Sequence, residues 1–151
     1  MRHNSGMRGA VAIASVAVLL AGCGSSRDES LPAACTGGPA AVLKALARAP
    51  APVTMHGTRI SDCFVRDANG DALQILGTTL LAAAQQLGDR ARGGDQHAAM
   101  QLGYLLGAAR RGGVRNGLAA EMIRRLDSEA RTLGPTRAAF RRGLRAGSDL
   151  G

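Results

Sequence analysis

Ser61, His56 and Asp62 are the three side chains of this sequence whose types match the nucleophile, general base and orienting carboxylate of acyl transfer. Their spacing argues against that use, because near neighbours in one loop do not converge as a triad does. No strand-to-helix elbow of the GxSxG type is present either. Asp67, Asn69 and Asp71, with Gly70 between, are spaced like the oxygen ligands of a calcium loop. Position six of such a loop would be Ala72 and position twelve Thr78, where a glycine and a glutamate are needed. A turn followed by a helix cap accounts for these residues without a cation. His97 falls in the first turn of an expected helix and reads as a surface residue. Cys35 and Cys63 have three possible fates: one disulfide, two buried free thiols, or part of a metal site completed by His56 or His97. Neither a CxxC nor an HxxxH spacing backs the metal. No metal and no cofactor are expected.

The choice between disulfide and free thiols turns on compartment, and the first 23 residues speak to that. They divide into a basic start with Arg2 and Arg8, an apolar run from Val11 to Leu20, and the small-residue end Ala21-Gly22-Cys23. This is the layout of an export signal. Ten residues rise only about 15 Å as a helix, half a bilayer core, too short for a permanent span. Leu20-Ala21-Gly22-Cys23 resembles the bacterial lipobox, an aliphatic residue and two small ones before a cysteine. The resemblance covers residues 1 to 23. It implies that the Cys23 sulfur takes a diacylglyceryl group, that residues 1–22 are cleaved off, and that the freed amine is acylated as well. Two or three acyl chains anchor stably where one binds marginally. The implied location is the extracytoplasmic face of a bacterial cell membrane.

Cleavage there leaves 151 − 22 = 129 residues, one domain's worth. Residues 23–30 hold the lipidated cysteine and a polar, Gly/Ser-containing tether, whose coil averages roughly 20 Å end to end. Residues 31–151 form a single helical domain. With Cys23 assigned to lipid, Cys35 and Cys63 are an even pair in a compartment where disulfides persist, and they read as one bridge.

The elements that must position these groups are helices. Aromatic residues make up 2% of the chain, so any core is built from thin side chains. That favours close-packed helices over sheets rich in β-branched residues. A first helix starts at Pro39 and ends before Pro50, with Val42, Leu43 and Leu46 apolar. Residues 53–65 read as an irregular loop rather than a hairpin. The strongest pattern runs from about Ala72 to Arg92, with Asp71 and Gln74 spaced as a capping box and Leu73, Leu76, Leu80, Ala84 and Leu87 on one face.

Asp95 can cap a helix reaching Arg110, whose inner stripe is Ala99, Leu102, Leu106 and Ala109. Gly103 and Gly107 make a small-xxx-small edge beside it, of the kind that lets two helix backbones approach. Asn116 can cap a further helix with Ala119, Met122, Leu126, Ala130 and Leu133 inside, and Glu121–Arg125 and Asp127–Arg131 as i,i+4 pairs outside. Gly134-Pro135 starts the last, where Phe140 and Leu144 share a side. The expected fold is all-α: a small bundle of four to five short antiparallel helices after a flexible tether, with one disulfide-clipped loop.

The chain is basic, +8 at pH 7. From Arg90 onward twelve arginines face five acids, Asp95, Glu121, Asp127, Glu129 and Asp149. Arg137, Arg141 and Arg145 recur every four residues and so share one face of the last helix. On a tethered protein such a face suits anionic lipid headgroups or a phosphate-rich wall polymer. The competing reading is a solvated face in an arginine-biased chain, since lysine occurs once, at Lys44, against eighteen arginines. Nucleic acid is not expected. Arg92-Gly93-Gly94 and Arg111-Gly112-Gly113 sit where helix breaks are needed, and rings for base stacking are scarce. The lipobox resemblance implies a membrane-anchored envelope protein, and the thin catalytic inventory with the basic face points to a non-enzymatic binding or structural module whose partner is an anionic surface or another envelope protein. The alternative is a small extracytoplasmic enzyme with its site around His56.

Overall fold

The computed structural model describes residues 31–64, 70–113 and 117–151. The described residues form an all-α bundle with one small hairpin, as the composition implies. A 3₁₀ turn at Ala33–Thr36 carries Cys35. It leads into α1, Gly38–Leu46, which has Pro39 in its first turn, where a missing N–H costs nothing. Val42 and Leu46 are its buried side chains.

Residues 53–65 are not wholly irregular. β1, Thr54–Met55, pairs antiparallel with β2, Thr58–Arg59, in the register Thr54 to Arg59 and Met55 to Thr58. His56 and Gly57 between them both have positive φ, +47° and +85°, as the tight hairpin turns with two left-handed residues require. The sequence signal is weak because glycine fills only one of those positions. What holds the hairpin is tertiary: Val53, Met55 and Ile60 are buried, and the Val53 N–H donates to the Tyr104 hydroxyl at 3.0 Å. A second 3₁₀ turn, Ile60–Cys63, follows.

The long helix α2 spans Gly70–Arg92. It begins earlier than the capping-box pattern suggests, so Asp71 lies inside the first turn rather than at the cap; its carboxylate there still complements the positive end of the helix dipole. Leu76, Leu80, Ala84 and Leu87 are buried as the periodicity demands. The helix ends on Gly94 at φ +99°. Asp95 N–H bonds the Arg90 carbonyl at 3.1 Å and Gly94 N–H that of Ala91 at 3.0 Å, closing the end as a left-handed glycine allows.

The same Asp95 then caps α3, Gln96–Gly112, its side chain accepting from the backbone N–H of His97 and of Ala98, both at 2.9 Å. These donors, that of Ala98 foremost, hold its carboxyl below the usual carboxylate range, burial opposing them. A folded-state pKa below the unfolded value stabilises the fold above the unfolded pKa, and this stability is lost as pH falls through the folded one. Asp95→Ala should cost about 1 kcal/mol near neutral pH. Asp95→Asn should keep most of the cap and remove Asp95's share of the acid destabilisation below about pH 4. Urea midpoints of the three proteins at neutral and acid pH test both.

α3 is more central than a one-faced stripe. Apart from half-buried Met100, every residue from Ala98 to Ala109 is buried. α4, Gly117–Glu129, buries Ala119, Met122 and Leu126. Its expected cap, Asn116, lies outside the described residues. A 3₁₀ turn at Gly134–Thr136 leads into α5, Arg137–Leu150. The buried Thr136 hydroxyl bridges the Leu133 carbonyl at 2.8 Å and the Ala91 carbonyl at 3.2 Å, tying this turn to the end of α2. Helices α2 to α5 run antiparallel in succession, so alternate ones are parallel.

The most extensive helix contact is between the parallel pair α3 and α5. Gly103 and Gly107 of α3 lie against the backbone of α5 from Phe140 to Ser148, while Gly143 and Gly147 of α5 lie against the Met100 and Tyr104 carbonyls of α3. At all four positions an added Cβ would overlap backbone atoms of the other helix. The small-residue edge foreseen on α3 therefore meets a matching edge on α5.

Candidate functional site

The residues that could do chemistry lie in two places, the loop beside the hairpin and the outer face of α5. In the loop, Ser61 is buried, and its hydroxyl donates to the Gly151 carbonyl at 2.5 Å, with Asp62 Oδ1 farther away at 3.3 Å. Asp62 is gripped from both oxygens by Arg59, at 3.0 and 3.1 Å. That hydrogen-bonded guanidinium draws the Asp62 carboxyl below its ordinary range. His56 stands exposed at the hairpin tip, with no hydrogen bond to Ser61 or Asp62 among the described residues. Nucleophile, base and orienter are thus not brought together. Asp67 and Asn69 lie outside the described residues.

Cys35 and Cys63 are joined, with Cα atoms 5.6 Å apart and 28 residues of separation. Both are buried. The bridge fastens the turn before α1 to the turn after the hairpin. Next to it the Ser61 backbone presses on α3 so closely that a Cβ on Gly112 would overlap the Ser61 carbonyl. Among the described residues no three His, Cys, Asp or Glu side chains are grouped to hold a metal ion. An open groove of about 360 Å³ on the first turns of α2 is lined by Asp71, Gln74, Ile75, Thr78 and Thr79. Except for Asp71, none of the residues singled out for chemistry lines it.

Two polar groups in the core carry no signal in the sequence. Gln101 is only 4% exposed. Its Oε1 accepts from Arg90 at 3.1 Å, a polar link between α2 and α3, and its Nε2 lies 3.3 Å from Nε2 of His97, which is exposed as the sequence implies. Tyr104 is fully buried, its ring in the core and its hydroxyl on the hairpin. A lone glutamine or tyrosine amid apolar neighbours is the only clue to either.

On α5, Arg137, Arg141 and Arg145 are all exposed, and Arg142 beside them is too. At 3.6 residues per turn the three advance about 40° each. The buried Ala139, Phe140, Gly143 and Gly147 occupy the opposite side. Arg137 donates to the Arg131 carbonyl at 3.2 Å. Arg141, Arg142 and Arg145 form no ion pair among the described residues. The acids are engaged elsewhere: Asp89 and Glu129 hold Arg92, and Glu121 holds both Arg124 and Arg125. Asp127 reaches across to Arg110 at 2.8 Å rather than to Arg131, because a partner on the neighbouring helix competes with the i,i+4 neighbour. Arg111 donates to the Ser148 and Asp149 carbonyls at 2.9 and 2.7 Å, capping the end of α5.

Cys23, the residue singled out for lipid, lies outside the described residues. No described helix is long and apolar enough to cross a membrane. Comparison with known family models, curated proteins and solved structures finds no match for this chain.

Proposed function

We propose that the chain is the precursor of a bacterial envelope lipoprotein: lipid on Cys23 holds a rigid helical domain at the extracytoplasmic face of a membrane, where it serves as a non-enzymatic binding or structural module. The observation that carries this reading is the pattern Leu20-Ala21-Gly22-Cys23 behind an apolar run too short to span a bilayer. The cysteine pairing agrees with it. Cys35 and Cys63 are consumed by each other, so Cys23 is the one thiol of the three left for alkylation, and a buried disulfide suits an oxidising compartment. The binding reading draws on the loop as well, where Ser61 and Asp62 are held in structural contacts.

Cys23→Ala should abolish incorporation of labelled fatty acid and leave the uncleaved precursor, detected as a band heavier by the 22-residue signal. Membrane attachment and processing unchanged by that substitution would refute the anchor.

A further inference from the structure

We infer that α5 is the face by which the tethered domain rests on anionic phospholipid headgroups. The inference rests on the lipid anchor and adds the partner to it. Three observations converge on it. Arg137, Arg141 and Arg145 stand opposite the glycine seam, so the stripe is fixed to a helix whose backbone is seated directly on the backbone of α3. Asp62, Asp89, Glu121, Asp127 and Glu129 are held by arginines of β2, α2, α3 and α4, Asp95 is engaged in capping α3, and α5 itself carries Asp149 alone against four arginines.

The third observation is where the tether enters. Leu31 is four residues from Cys35. The Cys35–Cys63 bridge and the Ser61 bond to Gly151 bring Cys35 toward the C-terminal end of α5, within four residues of where the tether joins. From Arg137 to Arg145 the helix rises about 12 Å, less than the reach of the eight residues 23–30 at up to about 3.3 Å each. Anchoring thus holds the stripe at high local concentration beside the headgroups. The stripe is a convex line on one helix, which a plane of headgroups can meet along its whole length. Each arginine near such a surface contributes about fivefold in binding.

The test uses the purified lipidated protein in vesicles of neutral phosphatidylcholine, to which phosphatidylglycerol-containing vesicles are added. Flotation with the neutral vesicles reads the anchor, and capture of the anionic vesicles, followed by energy transfer between lipid dyes, reads the stripe. Capture is expected to vanish toward about 1 M salt, where screening acts within about 3 Å. The triple variant R137A/R141A/R145A should need on the order of a hundredfold more anionic vesicles for the same capture. The matching lysine variant, which keeps charge and helix, should retain most of it. Protein that floats with the neutral vesicles yet captures nothing overturns the inference alone, as does capture indifferent to salt or to the alanine variant. Binding of soluble polyphosphate without vesicle capture overturns it in favour of a polyanionic polymer. Protein that does not float with the neutral vesicles overturns the anchor and the inference together.

Discussion

Gly143→Ala should destabilise the domain by about 3 kcal/mol or more, whereas Gly77→Ala, the same change in another helix, should stabilise it. At position 143 the new methyl would overlap the Met100 carbonyl and press on the Tyr104 amide nitrogen. These are main-chain atoms of a helix buried on all sides, so neither can turn aside as a side chain could. Overpacking of a core ordinarily costs 1 to 3 kcal/mol. Here relief requires α3 and α5 to separate, which would also loosen the contacts at Gly103, Gly107 and Gly147. At position 77 the methyl meets only the Met122 sulfur at 3.5 Å, ordinary van der Waals contact with a flexible side chain. The substitution there should add up to about 1 kcal/mol of helix propensity. Thermal denaturation followed by circular dichroism should put the two variants on opposite sides of the parent. A Gly143→Ala protein as stable as the parent would mean that α3 and α5 are not in backbone contact.

The same seam shows how far the sequence could be read. Gly103 and Gly107 announce a close helix approach by their four-residue spacing alone, and Asp95 announces a cap, because both signals are local. The partner edge is less visible. In α5 the Ala139, Gly143, Gly147 period runs in register with the arginine period, and the charged one is more conspicuous. Which acid neutralises which arginine is only partly local: Glu121 takes Arg125 one turn on, as its spacing implies, but Asp127 has Arg131 one turn away and is taken by Arg110 from α3. The positions of Arg137, Arg141 and Arg145 were therefore readable from spacing. Their freedom from carboxylates depends on where the other helices carry the acids. The hairpin was hidden for a similar reason, since its first strand is pinned by a tyrosine hydroxyl 51 residues away. The central place of α3 follows from alanines and glycines that suit burial and exposure equally well. Only the surrounding helices decide between the two.

Removing the Cys35–Cys63 bridge should lower stability by about 3 to 4 kcal/mol, the chain-entropy value for a loop of this length, and Tm by on the order of 12 °C for a domain of this size. The loss should not be spread evenly. Helices α2 to α5 contact one another through the glycine seam, the Thr136 bonds and the part of the apolar core that they themselves supply, from Leu76 to Phe140. Residues 31–64 reach the bundle through α1, buried Val53, Met55, Ile60 and Phe64, the Tyr104 hydroxyl and the Ser61 bond to Gly151. With the bridge gone, the turn carrying Cys35 loses its covalent fastening to the rest of that segment. Hydrogen exchange in a Cys35→Ala/Cys63→Ala variant should therefore rise most over residues 31–64 and least in α3. Because both sulfurs are buried, a reductant should act on the native protein only as fast as that segment opens, and quickly once denaturant exposes it. Uniform loss of protection across all five helices would show instead that the N-terminal segment and the bundle unfold as one unit.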